Sequence, residues 1–404
     1  MFTRLFSRRA AFGLFTLIIC SGPAQAACSG DELIDVTLPS GSRWDLCWQV
    51  QPEAGVTLSE IYFTTPAGLR RRVLNEASLA QVHVRFDDAR TPLDALTDFA
   101  SGGGFGAAGN LVPLQGSDCP GGTVRSSAGQ DALCQTVEER GYAYKSYSVV
   151  NQGHMLVLAS RAKIGAMTFV VRWRLYDDGG LEPAVGVTGG LPAVGSDARY
   201  GWALDATGRI GVGFHTSVHW RLDFDLGADA EDDRVEQFEV APSADRLRKN
   251  LSVSAVNSES ALVVNPDLKR SWRVVDSNTL NADQRPVSYH LEPLHVAHRY
   301  PGDALRPWQQ SDLYVTRYNP CERFINDNST ANGCGGNVTD FVNGEALAPG
   351  NVVLWYRVNY HHLPSSEDEP GIGVRWNGFL IVPRDWTSVN PLARAVVAHG
   401  EPAV

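Results

Sequence analysis

The stretch HWRLDFDLG, residues 219–227, has the period-two pattern of a β-strand with one face buried. Its large apolar residues occupy every second position: Trp220, Leu222, Phe224 and Leu226. The residues between them are charged: Arg221, Asp223 and Asp225. Side chains alternate between the two faces of a strand, so this stretch predicts a strand with an apolar side and an acidic side.

The same pattern recurs along the chain. VVRWRLYDDG, residues 170–179, alternates and then ends in an Asp-Asp-Gly turn, and VVLWYRVNYHH, residues 352–362, is a long run of branched and aromatic residues. Helical periodicity is nearly absent, and SADRLRKNL, residues 243–251, is the best short helix candidate. The sequence predicts an all-β fold, one large antiparallel β-sandwich domain over residues 27–404.

Residues 1–26 are typical of an export signal. Basic Arg4, Arg8 and Arg9 precede the apolar run AAFGLFTLII, and the small-residue motif AQA ends at Ala26. The apolar run is too short to cross a bilayer as a helix. We therefore expect a periplasmic or secreted protein without a membrane span, exported by either the general or the twin-arginine route.

Charge composition argues against two partner classes. The chain has 35 Lys and Arg against 45 Asp and Glu, a net charge of −10 with no acidic block. A nucleic acid or an anionic membrane surface would favour a basic patch. The sequence therefore indicates neither partner, and it does not name a ligand.

Cysteines point to an oxidising compartment. Removal of the signal discards Cys20 and leaves an even number: Cys28, Cys47, Cys119, Cys134, Cys321 and Cys334. An even count in an exported chain favours disulfides. The spacing suggests three local pairs in sequence order, although spacing alone leaves the other connectivities open.

Several segments, in order, resemble the catalytic domain of the copper amine oxidases. They are GVTLSEIYFTTPAGLRRRVLNEASLAQV (55–82), GFGAAGNLVPLQGSDC (104–119), RWRLYDDGGLEPAVGVTGGL (172–191), HWRLDFDLG (219–227), LYVTRYNPCERF (313–324), VVLWYRVNYHHLPSSEDEP (352–370) and GFLIVPRDWTSVNP (378–391). The resemblance implies that family's large β-sandwich, a homodimer, and a disulfide between Cys119 and Cys134. It also implies oxidation of primary amines by topaquinone, a quinone formed from a tyrosine with the help of copper held by three histidines.

Two catalytic positions of the family are occupied here by other residues. Counting back from RWRLYDDG places Met167 at the topaquinone tyrosine and Ala166 at the preceding asparagine, and no tyrosine lies between Tyr147 and Tyr176. Aligning FASGGGFG, residues 99–106, places Ser101 at the catalytic aspartate and Gly104 at the neighbouring acid. Methionine cannot become a quinone and serine is a poor base for a carbon-bound proton. We expect no topaquinone.

The copper ligands are also incomplete. His362 matches the third copper histidine, whereas the first two positions fall on Phe214 and Thr216. His215 lies between them and points to the opposite face unless a β-bulge intervenes. The sequence therefore does not favour copper, although Met167, His362 and a displaced His215 would together suit Cu(I).

A peripheral metal site of the family is better preserved. The resemblance assigns it to Asp223, the Phe224 carbonyl, Asp225, Asn351 and the Val352 carbonyl. All are oxygen donors suited to calcium or manganese, and Asn351 supplies one charge fewer than an aspartate. The competing interpretation is a pair of solvated acids on a strand face.

Two functions remain open from the sequence. One is a noncatalytic binding or structural homologue that has lost amine oxidation through topaquinone. The other is an enzyme of changed chemistry in the old cavity, with copper or without it. A residual primary-amine oxidase is the least favoured of the enzymes.

Overall fold

A computed structural model describes most of the chain. The described residues are 26, 28–99, 102–146, 149–227, 229–294, 306–328, 330, 333–348 and 350–393. Ser101 lies outside the described residues. So does the predicted export signal, except for its last residue, Ala26. The extent of the domain, residues 27–404, stays a prediction.

Two large antiparallel sheets make up the fold. The first sheet has the order β1-β2-β3-β4-β14-β21-β20-β17, with β5 paired to β4. Its strands are β1 (Leu33–Thr37), β2 (Arg43–Gln51), β3 (Gly55–Thr64), β4 (Arg70–Phe86), β5 (Leu93–Asp94), β14 (Phe214–Gly227), β17 (Ser260–Leu262), β20 (Leu313–Arg317) and β21 (Val352–His362).

The second sheet has the order β16-β15-β18-β19-β22-β10-β9-β8-β7-β6. Its strands are β6 (Thr123–Ser127), β7 (Gln130–Ser146), β8 (Val149–Ile164), β9 (Met167–Tyr176), β10 (Leu181–Gly189), β15 (Asp233–Pro242), β16 (Lys249–Val256), β18 (Ser271–Leu280), β19 (Pro286–Pro293) and β22 (Ile372–Arg384). A small third sheet joins β11 (Val194–Gly195), β12 (Gly201–Ala203) and β13 (Ile210–Val212).

The apolar core lies between the two large sheets. Trp220 of β14 meets Trp173 of β9 edge to face, with ring centroids 4.9 Å apart, and both rings are buried. Each large apolar side chain buried in this way stabilises the fold by about 1.5–3 kcal/mol. The alternating apolar side chains of the stretch 219–227 therefore form part of one side of the core. The predicted all-β sandwich is confirmed.

The helix predicted at residues 243–251 does not form. The segment is the exposed turn between β15 and β16, and β16 begins at Lys249. Ser243 and Asp245 hydrogen-bond nearby backbone groups there, an arrangement that competes with a helix. Within the described ranges the α-helix is limited to α1 (Val338–Phe341), and no helix there is long and apolar enough to cross a membrane.

Three disulfides join neighbouring parts of the chain. They are Cys28–Cys47, Cys119–Cys134 and Cys321–Cys334, the sequence-order pairing that the spacing favours. Disulfides of this kind are typical of proteins outside the reducing cytoplasm.

Candidate functional site

Strands β14 and β21 place a row of side chains at one end of the core. Their antiparallel register sets Phe214 opposite His362 and Thr216 opposite Tyr360, and it runs without a shift from Phe214 to Asp223. Alternate residues share a face, and Phe214 belongs to the core between the sheets. These four side chains therefore lie on the inner face of the first sheet. We call them, with Asp368, the inter-sheet site.

His362 is fully engaged within this site. Its Nε2 lies 2.8 Å from Oδ2 of Asp368, and its Nδ1 lies 3.2 Å from the hydroxyl oxygen of Tyr360. Both His362 and Asp368 are buried. Oδ2 of Asp368 also accepts the backbone N–H of Ser365 at 2.8 Å, which fixes the carboxylate at the start of a short helical turn. Nε2 therefore donates to the carboxylate, and Nδ1 accepts from the phenol.

Tyr360 faces the second sheet. The side chain of Arg375, which lies on β22 of that sheet, is near enough to interact electrostatically with the phenol. The phenol O–H donates to Nδ1 of His362, which accepts. Burial raises the pKa of Tyr360, and Arg375 opposes that rise. The phenol is therefore a neutral O–H at neutral pH.

Phe214 and Thr216 supply no strong metal ligand. The Phe214 ring stacks at a tilt against the His362 ring, with centroids 5.0 Å apart. Thr216 is buried, and its hydroxyl oxygen has no hydrogen-bond partner in the described structure. The three positions that match the family's copper ligands thus hold one imidazole, one phenyl and one hydroxyl, and the imidazole is already hydrogen-bonded at both nitrogens.

His215 lies on the opposite face of the sheet from His362. The unbroken register leaves no bulge to turn it inward, so the alternative copper set of Met167, His362 and a displaced His215 is not formed. On the outer face His215 lies 3.4 Å from the Ser217 hydroxyl and near His219. Burial and then Arg357 lower the pKa of His219 well below its usual value, and that ring is neutral.

Met167 is the first residue of β9 and is buried in the core. It follows a tight turn at Gly165, where φ is +61°. Phe169, two residues on, stacks against Phe105 with centroids 5.2 Å apart. The surroundings of Met167 are those of an apolar core residue.

The glycine-rich loop leaves little space for an acidic side chain. A Cβ at Gly104, whose φ is +99°, would lie 2.7 Å from the Pro52 carbonyl oxygen. A Cβ at Gly106 would lie 2.0 Å from the Gln51 carbonyl oxygen. The backbone here approaches β2 too closely for a side chain without rearrangement.

A second set of polar side chains, the peripheral site, lies at the far end of β14. Asp223, Asp225 and Asn351 each keep one side-chain oxygen, Oδ1, buried without a hydrogen-bond partner in the described part of the chain. The other carboxylate oxygens are used: Asp223 Oδ2 accepts from Asn75 at 3.0 Å, and Asp225 Oδ2 pairs with Arg72. Three unpaired oxygens are therefore left, two on β14 and one on the residue that precedes β21.

Burial dominates the electrostatics of the peripheral site. It raises the pKa of Asp223 to about 6, although Arg221 and Asn75 oppose the rise. It also raises the pKa of Asp225, against the nearby Arg72. Buried carboxylates of this kind are stabilised by a proton or by a bound cation.

The comparison with protein families decides the relationship. Residues 135–399 match the family model described as copper amine oxidase, enzyme domain. This chain belongs to the copper amine oxidase family. The match covers more than half of the chain and includes β14, β21 and β22.

Relatives within the copper amine oxidase family are distant and longer. The primary amine oxidase of Arthrobacter sp. (strain P1) is 24% identical over 383 residues, covering 86% of this chain and 58% of that protein. The histamine oxidase of Arthrobacter globiformis is 24% identical over 404 residues, covering 87% of this chain and 56% of that protein. The chain thus spans less than two thirds of these relatives.

Solved structures share the fold. A copper-containing benzylamine oxidase from Hansenula polymorpha superposes with a TM-score of 0.74 and 18% identity, covering 94% of this chain and 65% of that one. An amine oxidase from Aspergillus nidulans superposes with a TM-score of 0.73 and 18% identity, covering 96% of this chain and 57% of that one. At this identity the likeness establishes the fold alone.

The inter-sheet site does not fit the copper of this family. Copper(II) sites in proteins rest on several nitrogen or oxygen donors, and here His362 is the one imidazole on the inner face of β14 and β21, with both nitrogens bonded. Within the described ranges no three His, Cys, Asp or Glu side chains form a group that would hold a metal. The peripheral site differs because it combines two carboxylates with an amide, and its unpaired oxygens suit a hard cation.

Three residues in or beside the inter-sheet site have roles that sequence reasoning missed. Asp368 was visible only as one of three acids between Pro364 and Pro370, and its place three residues after Ser365 was the available signal of a capped turn. Tyr360 was part of a strand pattern. No sequence signal pointed to Arg375, because it lies on β22 of the other sheet.

Proposed function

We propose that this protein is an extracytoplasmic member of the copper amine oxidase family that has lost topaquinone-dependent oxidation of primary amines. It acts instead as a noncatalytic binding or structural homologue, whose ligand the geometry does not identify. The observation that carries the proposal is that both ring nitrogens of His362 are hydrogen-bonded, one to Tyr360 and the other to Asp368. A copper ion would have to break one of these bonds and would gain only one imidazole.

The quinone positions support the same conclusion. In the family register Met167 replaces the tyrosine that becomes topaquinone, and Ala166 replaces its neighbour. Ser101 replaces the proton-abstracting aspartate, and loss of a positioned base costs about 10²–10⁴ in rate. Gly104, at the neighbouring acid, leaves no space for a side chain. No remaining residue in this register supplies an electron sink.

Redox staining and peroxide release test the proposal. The purified mature chain is incubated with copper under air, stained for quinone, and assayed for hydrogen peroxide with methylamine, benzylamine and histamine. A bacterial primary amine oxidase treated in parallel is the positive control. We expect no stain and no peroxide above buffer, and a positive stain with copper-dependent peroxide would overturn the proposal.

We further propose that the peripheral site holds calcium or manganese. Asp223, Asp225 and Asn351 would supply side-chain oxygens, and Phe224 and Val352 would supply backbone carbonyls. Support comes from the three buried oxygens without partners. The ion would have a structural role, because it replaces the protons that the buried carboxylates otherwise need.

The proposal includes a homodimer, by resemblance to the family. Light scattering coupled to size-exclusion chromatography measures the mass directly. One chain has a mass of 43.9 kDa with the export signal included. We expect about twice the mass of the mature chain in solution, whereas a monomer at micromolar concentration would contradict this part of the proposal.

A second candidate is an enzyme of changed chemistry in the same cavity. The specific observation in its favour is the chain of hydrogen bonds from Tyr360 through His362 to Asp368. A hydroxyl, an imidazole and a carboxylate in sequence form an arrangement that can activate the hydroxyl.

A further inference from the structure

The phenol of Tyr360 has the surroundings of an activated nucleophile. Its O–H donates to Nδ1 of His362 over 3.2 Å, and Nε2 of the same ring donates to Asp368 over 2.8 Å. The imidazole and the carboxylate are both buried, whereas Tyr360 is only half-buried. The general base is therefore shielded and oriented, and the tyrosine side chain is partly exposed.

Arg375 completes the arrangement on the other side of the phenol oxygen. It is exposed, lies on the opposite sheet and is near enough to Tyr360 to oppose the rise in the pKa of the phenol. A guanidinium here stabilises negative charge that develops on the phenol oxygen, and its remaining N–H groups can bind a carboxylate on an incoming molecule. The site thus combines a hydroxyl, a base, an orienting acid and an anion-binding group.

We propose that Tyr360 is a nucleophile that accepts an acyl group from an activated carboxylic acid derivative carrying a negative charge. In this step the Tyr360 oxygen forms a bond to the carbonyl carbon. The bond from that carbon to the leaving group breaks, and the leaving group takes the electron pair. The phenol proton passes to His362 Nδ1, and Asp368 stabilises the resulting imidazolium. No oxidant or reductant is needed. This inference rests on the second candidate function.

The experiment uses 4-(fluorosulfonyl)benzoate, a stable anionic electrophile that forms an oxygen–sulfur bond and releases fluoride. The mature chain is labelled, digested and analysed by mass spectrometry for the rate at each tyrosine. Tyr142, which is 72% exposed, and Tyr200, which is 37% exposed, are internal controls. We expect Tyr360 to react at least tenfold faster than either control, and Tyr360→Phe to remove that label alone.

Variants separate activation from mere exposure. Because loss of a positioned base costs about 10²–10⁴ in rate, His362→Gln should lower Tyr360 labelling at least tenfold while Tyr142 labelling is unchanged. The isosteric Asp368→Asn gives a second test if His362→Gln folds poorly. Arg375→Gln should slow the anionic probe but leave the neutral phenylmethylsulfonyl fluoride unaffected.

Labelling of Tyr360 no faster than Tyr142, or a rate that neither His362→Gln nor Asp368→Asn changes, would overturn the inference. That outcome would leave the proposed loss of amine oxidation intact, because quinone and peroxide are measured independently. A positive quinone stain would overturn the proposed function without deciding the reactivity of Tyr360.

Discussion

The inter-sheet site and the peripheral site lie at opposite ends of β14 and differ in how their donors are used. Around His362 both ring nitrogens and the Asp368 carboxylate have protein partners. Around Asp223, Asp225 and Asn351 three buried oxygens have none within the described residues. Buried polar atoms are normally paired, so oxygens that the protein leaves unpaired are the ones available to a ligand. This contrast is the reason we propose a metal at the peripheral site and not at the inter-sheet site.

The largest expected effect follows from breaking the paired site. His362→Ala leaves the buried Asp368 without its imidazole and opens a cavity beside Phe214, so we expect the free energy of unfolding to fall by about 3 kcal/mol. Urea unfolding measures it. His361→Ala is the matched control, since His361 pairs with Asp87 at the surface, and its cost should stay below about 1 kcal/mol. Equal costs for the two variants would contradict the contrast.

Calcium tests the unpaired site. At ~100 times its Kd, calcium stabilises a folded state that binds it by about 2.7 kcal/mol, which raises the Tm by several degrees. We expect this rise in the mature protein after removal of metals with a chelator, and a smaller one with copper. Asp223→Ala should abolish the calcium rise, and His362→Ala should retain it. A calcium rise that survives Asp223→Ala would place the ion elsewhere.

Adding a negative charge should strengthen calcium binding at the peripheral site. Asn351→Asp adds a third carboxylate to the donor set, and we expect calcium to bind about tenfold more tightly, or about 1.4 kcal/mol. Isothermal titration calorimetry measures the change. Asn319→Asp is the control, because Asn319 forms hydrogen bonds with Glu322 and Cys321 and not with residues of the peripheral site. An equal gain in both variants would indicate a nonspecific effect of net charge.

The last prediction concerns a buried acid next to the peripheral site. Asp233 is fully buried opposite Asp276, and burial raises its pKa to about 9. The folded state therefore holds a proton that the unfolded state releases near pH 4. The stabilisation is complete below that pH and is lost as pH rises toward 9.

Asp233→Asn should remove this component. Urea unfolding of the chelator-treated protein at pH 5 and at pH 8 gives the difference in stability for each chain. We expect a smaller decrease from pH 5 to pH 8 in the variant than in the unchanged protein. The same decrease in both would mean that Asp233 is ionised in the folded state.

Sequence patterns predicted the fold because apolar alternation is a local property. Trp220 and Trp173 were assigned to buried faces from spacing alone, and they meet in the core. The prediction of a helix at residues 243–251 was wrong because Ser243 and Asp245 form hydrogen bonds with the backbone of the turn between β15 and β16. Its exposed Leu247 has no apolar surface to cover.

The candidate site was less accessible to sequence reasoning because its contacts are tertiary. His362 was identified, but its bond to Asp368 depends on the path of the chain through Leu363 and Ser365. The proximity of Arg375 to Tyr360 depends on how the two sheets pack. The unpaired state of the Asp223 and Asp225 oxygens likewise follows from what lies around them, which spacing does not record.

Copper retention measures the central claim most directly. The mature protein is loaded with copper, dialysed against a chelator and assayed for metal content and quinone in the same sample, alongside His362→Ala and a bacterial primary amine oxidase. We predict no retained copper and no quinone in either form of this protein, with both present in the amine oxidase. One copper per chain that is lost in His362→Ala would contradict the account.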